Sequence, residues 1–191
     1  MSSAIFLQPE RYYHVYNRGI NGGTLFFEDR NYFYFLKLLE EKIKPVAKFY
    51  SYCLMQNHFH LLVEIKTEKE IRAAFPNKQQ YAVEAIVSKQ FSNVFNSYTQ
   101  AINKNYGRTG KLFELAFRRK EVMTEIYLLN SILYINKNPV KHSIKTDLLS
   151  YKYCSLKDIL NDNNSLVESA KVCELFDDCE NFLECLRNYQ V

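Results

Sequence analysis

The stretch KFYSYCLMQNHFHLLVEI, residues 48–65, decides how the rest of the chain is read. It holds two runs rich in aromatic and aliphatic residues, 48–55 and 58–65, separated only by Gln56-Asn57. Such runs suit the pleated surface of a sheet, and two residues between them allow a hairpin but not a parallel crossover. Side chains alternate across a strand. Phe59, Leu61, Val63 and Ile65 therefore form an apolar face, while His58, His60, Leu62 and Glu64 share the other. A rigid strand thus carries two imidazoles on the side away from the apolar face. Neutral imidazole is a common ligand of divalent ions, and strands are better ligand platforms than loops. Two donors cannot close a structural zinc site. A third must come from elsewhere, and the open remainder would suit a substrate.

Upstream of the hairpin, RYYHVYNRGINGG (11–23) reads as a strand ending in a glycine turn. Asp29 is placed to cap a helix whose apolar positions Tyr32, Phe35, Leu36, Leu39 and Ile43 follow the helical period, with Pro45 closing it. Downstream, KTEKEIRAAFPNKQQ (66–80) reads as a loop or short helix. A long helix follows with Val87, Phe91, Val94, Tyr98 and Ile102 on one face. It runs into the basic turn NYGRTG (105–110). KLFELAFRRKEV (111–122) reads as a strand or hairpin. Thr124 caps the helix TEIYLLNSILYINKN (124–138), which Pro139 is expected to stop. Residues 151–191 read as short helices around the turns NDNN and FDDCE. The expected fold is α+β: an antiparallel sheet with helices mainly on one face. Residues 1–150 form the main domain and 151–191 a small helical extension.

Charge divides at the same boundary. Residues 1–150 carry 21 Lys and Arg against 13 Asp and Glu, or +8, whereas 151–191 carry 4 against 8, or −4. A basic body suggests a polyanionic partner. No apolar run approaches the ~20 residues of a membrane span, and MSSAIFLQPERYY has neither the basic nor the apolar region of a signal peptide. The five cysteines, odd in number and without a C-x-x-C pair, fit reduced thiols in a cytoplasmic protein.

On the last strong helix, Leu128, Ile132 and Ile135 make the buried stripe, and Tyr127, Tyr134 and Asn138 fall together on its flank. Tyr134 and Asn138 are four apart and so adjacent. A phenol beside an amide oxygen on this shoulder would supply a nucleophile and a third ligand, if the helix meets the histidines. The alternative is that both tyrosines are half-buried packing aromatics. Nearby, GRTGKLFELAFRRK interleaves Arg108, Lys111, Arg118, Arg119 and Lys120 with Phe113 and Phe117. Cations can track phosphates while rings stack bases; equally, the two Phe side chains can be core. Asn17 and Arg18, at the end of the first strand, are further candidates for DNA contact.

Four motifs, YHVYNRG (13–19), LMQNHFHLLVE (54–64), SYTQAINKNYGRTGKLF (97–113) and LYINKNPVKH (133–142), together resemble the IS200-like and REP-associated tyrosine transposases, the single-tyrosine branch of the HUH endonucleases. The match in order and spacing covers about residues 10–145, and KYCSLKDIL (152–160) is similar to the C-terminal part of longer members. The resemblance implies a ferredoxin-like sheet carrying His58 and His60 as metal ligands. It also implies Tyr134, rather than Tyr127, as the nucleophile, Asn138 as the third ligand, and Mg²⁺ or Mn²⁺ as the cofactor. The implied activity is nicking and strand transfer on hairpin-bearing single-stranded DNA through a 5′-phosphotyrosine. Some relatives work as homodimers and others as monomers. Two positions depart from the family pattern: Gln56 stands where it usually has proline, and Asn136 where it commonly has histidine. The competing expectations are a domesticated, non-catalytic protein that binds structured single strands, and an unrelated zinc protein.

Overall fold

A computed structural model describes residues 6–114, 116–142, 147–161 and 166–190. β1 (Tyr12–Arg18), α1 (Asp29–Lys42), β2 (Ala47–Met55), β3 (His58–Ile65), α2 (Glu68–Ala74), α3 (Val83–Asn105) and β4 (Arg118–Val122) are followed by α4 (Glu125–Lys141). Among the described residues three short α-helices follow: α5 (Leu156–Asn161), α6 (Ser169–Leu175) and α7 (Cys179–Asn188). The four strands pair antiparallel in the order β2-β3-β1-β4, which with α1 and α3 is the ferredoxin-like arrangement. The turn between β2 and β3 falls at Gln56-Asn57, as their spacing requires.

The apolar face of β3 builds the main core. Phe59, Leu61, Val63 and Ile65 are fully buried. Phe59 meets Phe35 of α1 at 5.2 Å and Phe95 of α3 at 5.6 Å between ring centroids. The expected α3 stripe, Val87, Phe91, Val94, Tyr98 and Ile102, is buried throughout. Tyr98 brings a polar group inside, and its hydroxyl donates to the Leu25 carbonyl at 2.9 Å. That bond removes most of the cost of burying it.

α4 lies across the other face. Its interior Asn136, fully buried, donates to Ser51 Oγ of β2 at 3.0 Å and to the Ile132 carbonyl at 2.9 Å. Its side-chain oxygen accepts from Ser155 Oγ at 2.9 Å. One amide therefore joins α4, the sheet and the extension, and it fixes which side of α4 faces the strands. The extension also seals the outer edge of β2. Leu54 N–H donates to the Tyr153 carbonyl, Ser155 N–H to that of Tyr52 and Glu168 N–H to that of Phe49, each at 2.9 Å. An edge strand with its polar backbone paired is no longer a template for another chain.

Several local expectations are corrected. Glu28, one residue before Asp29, is the N-cap of α1, in a reciprocal box with Asn31. Pro139 does not stop α4, which continues to Lys141. A proline in the last turn forfeits only the bond its own nitrogen would make, and His142 N–H still donates to the Asn138 carbonyl at 3.0 Å. Among the described residues of KLFELAFRRKEV, the regular strand is confined to Arg118–Val122, with Phe113 making an isolated bridge to Gly19. Cys173 and Cys179 are joined as a disulfide, not free thiols, because the turn from α6 to α7 sets their Cα atoms 4.5 Å apart. Cys53, Cys154 and Cys185 are free. Most of the NDNN turn (161–164) lies outside the described residues. Among the described residues no helix is long and apolar enough to cross a membrane.

Candidate active site

Strand register decides which side chains share the histidine face. His60 pairs with Tyr16 and His58 with Arg18 across β1, and His14 lies two residues before Tyr16. On β4, Arg118 stands opposite Tyr16 and Lys120 opposite His14. Residues directly opposite in an antiparallel pair share a face. His14, Tyr16, Arg18, His58, His60, Arg118 and Lys120 therefore project together. Arg119 pairs with Val15 and Asn17 with Phe59, which assigns both to the opposite face.

α4 closes over this surface. Its Tyr134, Asn138 and C-cap residue His142 recur at intervals of four, one stripe of a helix. The Tyr134 ring stands over His60 at 5.8 Å and His14 at 6.2 Å, edge-on to both. His142 meets His58 at 5.1 Å. All four histidines of the chain thus converge on one site.

Both rings of the H-x-H pair are engaged through Nδ1. His58 Nδ1 donates to Asn57 Oδ1 at 2.7 Å, and His60 Nδ1 shares a 2.9 Å hydrogen bond with His14 Nε2. Both bonds occupy Nδ1. With Nδ1 protonated in each, the Nε2 lone pairs of His58 and His60 remain for a ligand, the arrangement seen where an outer partner fixes a metal-binding tautomer. Burial keeps these rings neutral. It lowers the pKa of His14 to about 4, with Lys120 adding to the effect, and that of His58 to about 4, with His142 adding. For His60, burial and then the neighbouring His14 lower it to about 2.

Asn138 is fully buried between Tyr134 and His142. Its Nδ2 donates to the Tyr134 carbonyl at 2.9 Å, but among the described residues its Oδ1 has no hydrogen-bond partner. A buried acceptor without a partner is costly, and it is rare unless something else fills the role. Among the described residues no three His, Cys, Asp or Glu side chains are arranged to hold a metal ion. His58 and His60 offer two imidazole donors on one strand, and Asn138 Oδ1 is a buried amide acceptor on the helix that crosses them.

A cleft of about 490 Å³ opens beside these groups, lined by Arg18, Asn57, His58, His60, Arg118 and His142, with Asn17 and Glu114. Arg18 Nε donates to Glu114 Oε1 at 2.5 Å. A second cleft of about 440 Å³ adjoins it, sharing Tyr16 and His60 and containing Tyr134 and Lys120. Of the basic residues proposed from sequence, Arg18, Arg118 and Lys120 line one cleft or the other, whereas Arg108, Lys111 and Arg119 line neither. Asn17 lines the first, though it is buried and its Oδ1 accepts from Arg18 N–H. Phe113 is buried in the core and Phe117, partly buried, packs against it: both meet Phe95, at 5.3 Å each.

Sequence reasoning gave no role to His14, His142 or Tyr16. The signals were present. The alternation in YHVYNR sets His14, Tyr16 and Arg18 on one face, and His142 lies one further turn along the Tyr134–Asn138 stripe.

No protein-family model and no curated protein matches the chain by sequence. Among solved structures it is similar to a REP-associated tyrosine transposase bound to a REP hairpin, with a TM-score of 0.57. The match covers 87% of this chain and 89% of that one at 10% identity, a likeness of fold.

Proposed function

We propose that the protein is a metal-dependent tyrosine transposase that nicks and rejoins hairpin-bearing single-stranded DNA. One observation carries the reading: the Tyr134 ring stands edge-on to His60 of the H-x-H pair, with the unpartnered Oδ1 of Asn138 one turn further on among the described residues. The fold likeness to a hairpin-bound transposase supports it.

A phosphodiester is anionic and resists attack by an oxygen nucleophile. Mg²⁺ or Mn²⁺ held by His58, His60 and Asn138 would withdraw charge from a nonbridging oxygen. Arg18 and Arg118, on the same face, can hold further phosphate oxygens by charge-assisted hydrogen bonds. Tyr134 Oη then attacks phosphorus in line with the departing 3′-oxygen. The O–P bond to tyrosine forms as the P–O3′ bond breaks. The proton lost by the phenol is balanced by the one gained on the 3′-hydroxyl. The 5′-phosphotyrosine keeps the ester's bond energy, so a new 3′-hydroxyl can reverse the step without another energy source. A phenol is a weak nucleophile at neutral pH, so the attack requires a base or the bound ion to activate it.

The test is covalent trapping. With Mn²⁺ and a hairpin oligonucleotide carrying single-stranded flanks, the intact protein should form a protein–DNA adduct, and peptide mapping should place the phosphate on Tyr134. Tyr134→Phe deletes one hydroxyl, retains the ring and should form none. An adduct that survives this change, or that maps to Tyr127, overturns the assignment. Tight hairpin binding with no adduct under either ion favours the binding-only descendant instead.

A further inference from the structure

The second cleft differs in chemistry from the first. Its walls are aromatic: Tyr16 from β1, Tyr127 and Tyr134 from α4, and Tyr189 from just beyond α7. Among the described residues no carboxylate lines it, and its one cation is Lys120, whose Nζ lies 4.7 Å above the Tyr127 ring. Asn130 Nδ2 donates to the Ile126 carbonyl, and its Oδ1 is an acceptor on an exposed side chain. The first cleft instead holds two arginines, a glutamate and the imidazole pair. One is built for phosphate and metal, the other for rings.

Tyr189 is held there by a specific tether. Lys137 Nζ, on α4, donates to the carbonyls of Leu186 at 2.9 Å and Arg187 at 2.8 Å. A lysine at a helix C-terminus satisfies its last carbonyls and complements its dipole. The chain then leaves α7 in extended conformation at Tyr189, whose half-buried ring stands near Tyr134. The acidic extension thereby supplies one wall of a cleft whose other walls come from the main domain.

We propose that this second cleft takes a nucleobase of the substrate strand, one flanking the phosphate that Tyr134 attacks. The base lies against Tyr16, Tyr127 and Tyr189, and Lys120 meets its phosphate. A single strand drawn across Tyr134 must leave a nucleotide on each side of the nucleophile, and this side offers the cluster of aromatic faces. Stacking on such faces tolerates any base, so the cleft fixes the strand's position more than its sequence. The inference rests on Tyr134 as nucleophile, and its test separates the two.

The probe is a hairpin with oligothymidine flanks on both sides, each flank nucleotide replaced in turn by an abasic one. Affinity is measured with Mn²⁺ in the Tyr134→Phe background, where nothing is cut. At one flank position the missing base should cost about ten-fold in affinity, as for one stacked base. Tyr189→Ala should cost a similar factor with the intact flank and abolish the abasic penalty at that position. Tyr189→Phe, which keeps the ring, should retain it. Lys137→Met, which releases α7, should reproduce the alanine result. A 2-aminopurine at the same position should be quenched on binding to the chain with Tyr189 intact, a readout that needs no change in the cleft wall. Tight binding with no position coupled to Tyr189 overturns this inference and leaves the transposase reading intact. Failure to bind any flanked hairpin overturns both.

Discussion

The two faces of β3 come from alternate residues of one eight-residue strand, yet they obey different rules. On one, Phe59, Leu61 and Val63 are fully buried in the core, and each contributes through the area it removes from water. On the other, His58 and His60 are only partly covered, and each is fixed by a single hydrogen bond. Area is forgiving and a single bond is not. Packing can absorb a small change by shifting neighbours, but a ring nitrogen without its partner loses both tautomer and aim. Stability is concentrated on the first face, and the groups proposed to do chemistry lie on the second.

Substitution on the second face should produce the largest change. His58→Ala or His60→Ala should abolish the covalent adduct while the chain keeps its melting transition and most of its hairpin affinity, read by gel shift. Undiminished adduct in both variants would remove these histidines from the chemistry. Phe59→Ala, between them, should do the reverse: it leaves both imidazoles in place but costs about 3–5 kcal/mol of stability in denaturant titration. A loss below about 1 kcal/mol would mean that this face does not carry the fold.

Acid sharpens the contrast. His14, His58 and His60 have folded-state pKa values lowered below the usual 6.5 by burial. Above that pH neither folded nor unfolded chain protonates them, and stability is at its full value. As pH falls from about 6.5 towards about 4, the unfolded chain binds protons that the folded chain refuses, so stability declines. The urea midpoint should fall across this window. A paired His14→Leu, His60→Leu change removes both partners of one hydrogen bond and should flatten the fall; an unchanged slope would place its origin elsewhere.

The smallest effect separates neighbours on β4. Neutralising Arg118 or Lys120, on the histidine face, should lower the salt dependence of single-strand binding by roughly 0.7 in log–log slope for each phosphate left without its cation. Arg119, between them on the opposite face and over the Phe117 ring, should leave it unchanged. Equal effects from all three would mean that the strand does not cross the sheet on the histidine side.

Sequence made some of this architecture legible because certain patterns admit only one geometry. The two-residue spacer between β2 and β3 allows nothing but a hairpin, and the five-residue stripe of α3 has one buried side. Periodicity also brought Tyr134 and Asn138 to one flank. It could not say that α4 would lie over the strands, because that orientation is set by contacts from Asn136 to Ser51 and Ser155, far apart in the chain. The sequence offers Arg118, Arg119 and Lys120 alike as phosphate contacts, although alternation along β4 puts Arg119 on the other face. Pro139 misled because a rule for helix interiors was applied to a last turn. For Tyr189 there was no local signal, since its place depends on how the extension folds back onto α4, whereas the Cys173–Cys179 bridge rests on the short turn from α6 to α7.

The tether between Lys137 and the end of α7 has a consequence for the order in which the molecule forms. It joins residues about fifty positions apart, as does the His14–His60 bond across the sheet. Each requires closure of a long loop before it returns any stabilisation, and such contacts slow folding. The helix α4 and the hairpin β2–β3 rest on near neighbours in the chain and can form earlier. A refolding chain is therefore expected to regain its helical signal before its ability to trap DNA, and the interval between the two measures how long the protein exists as a scaffold without a site.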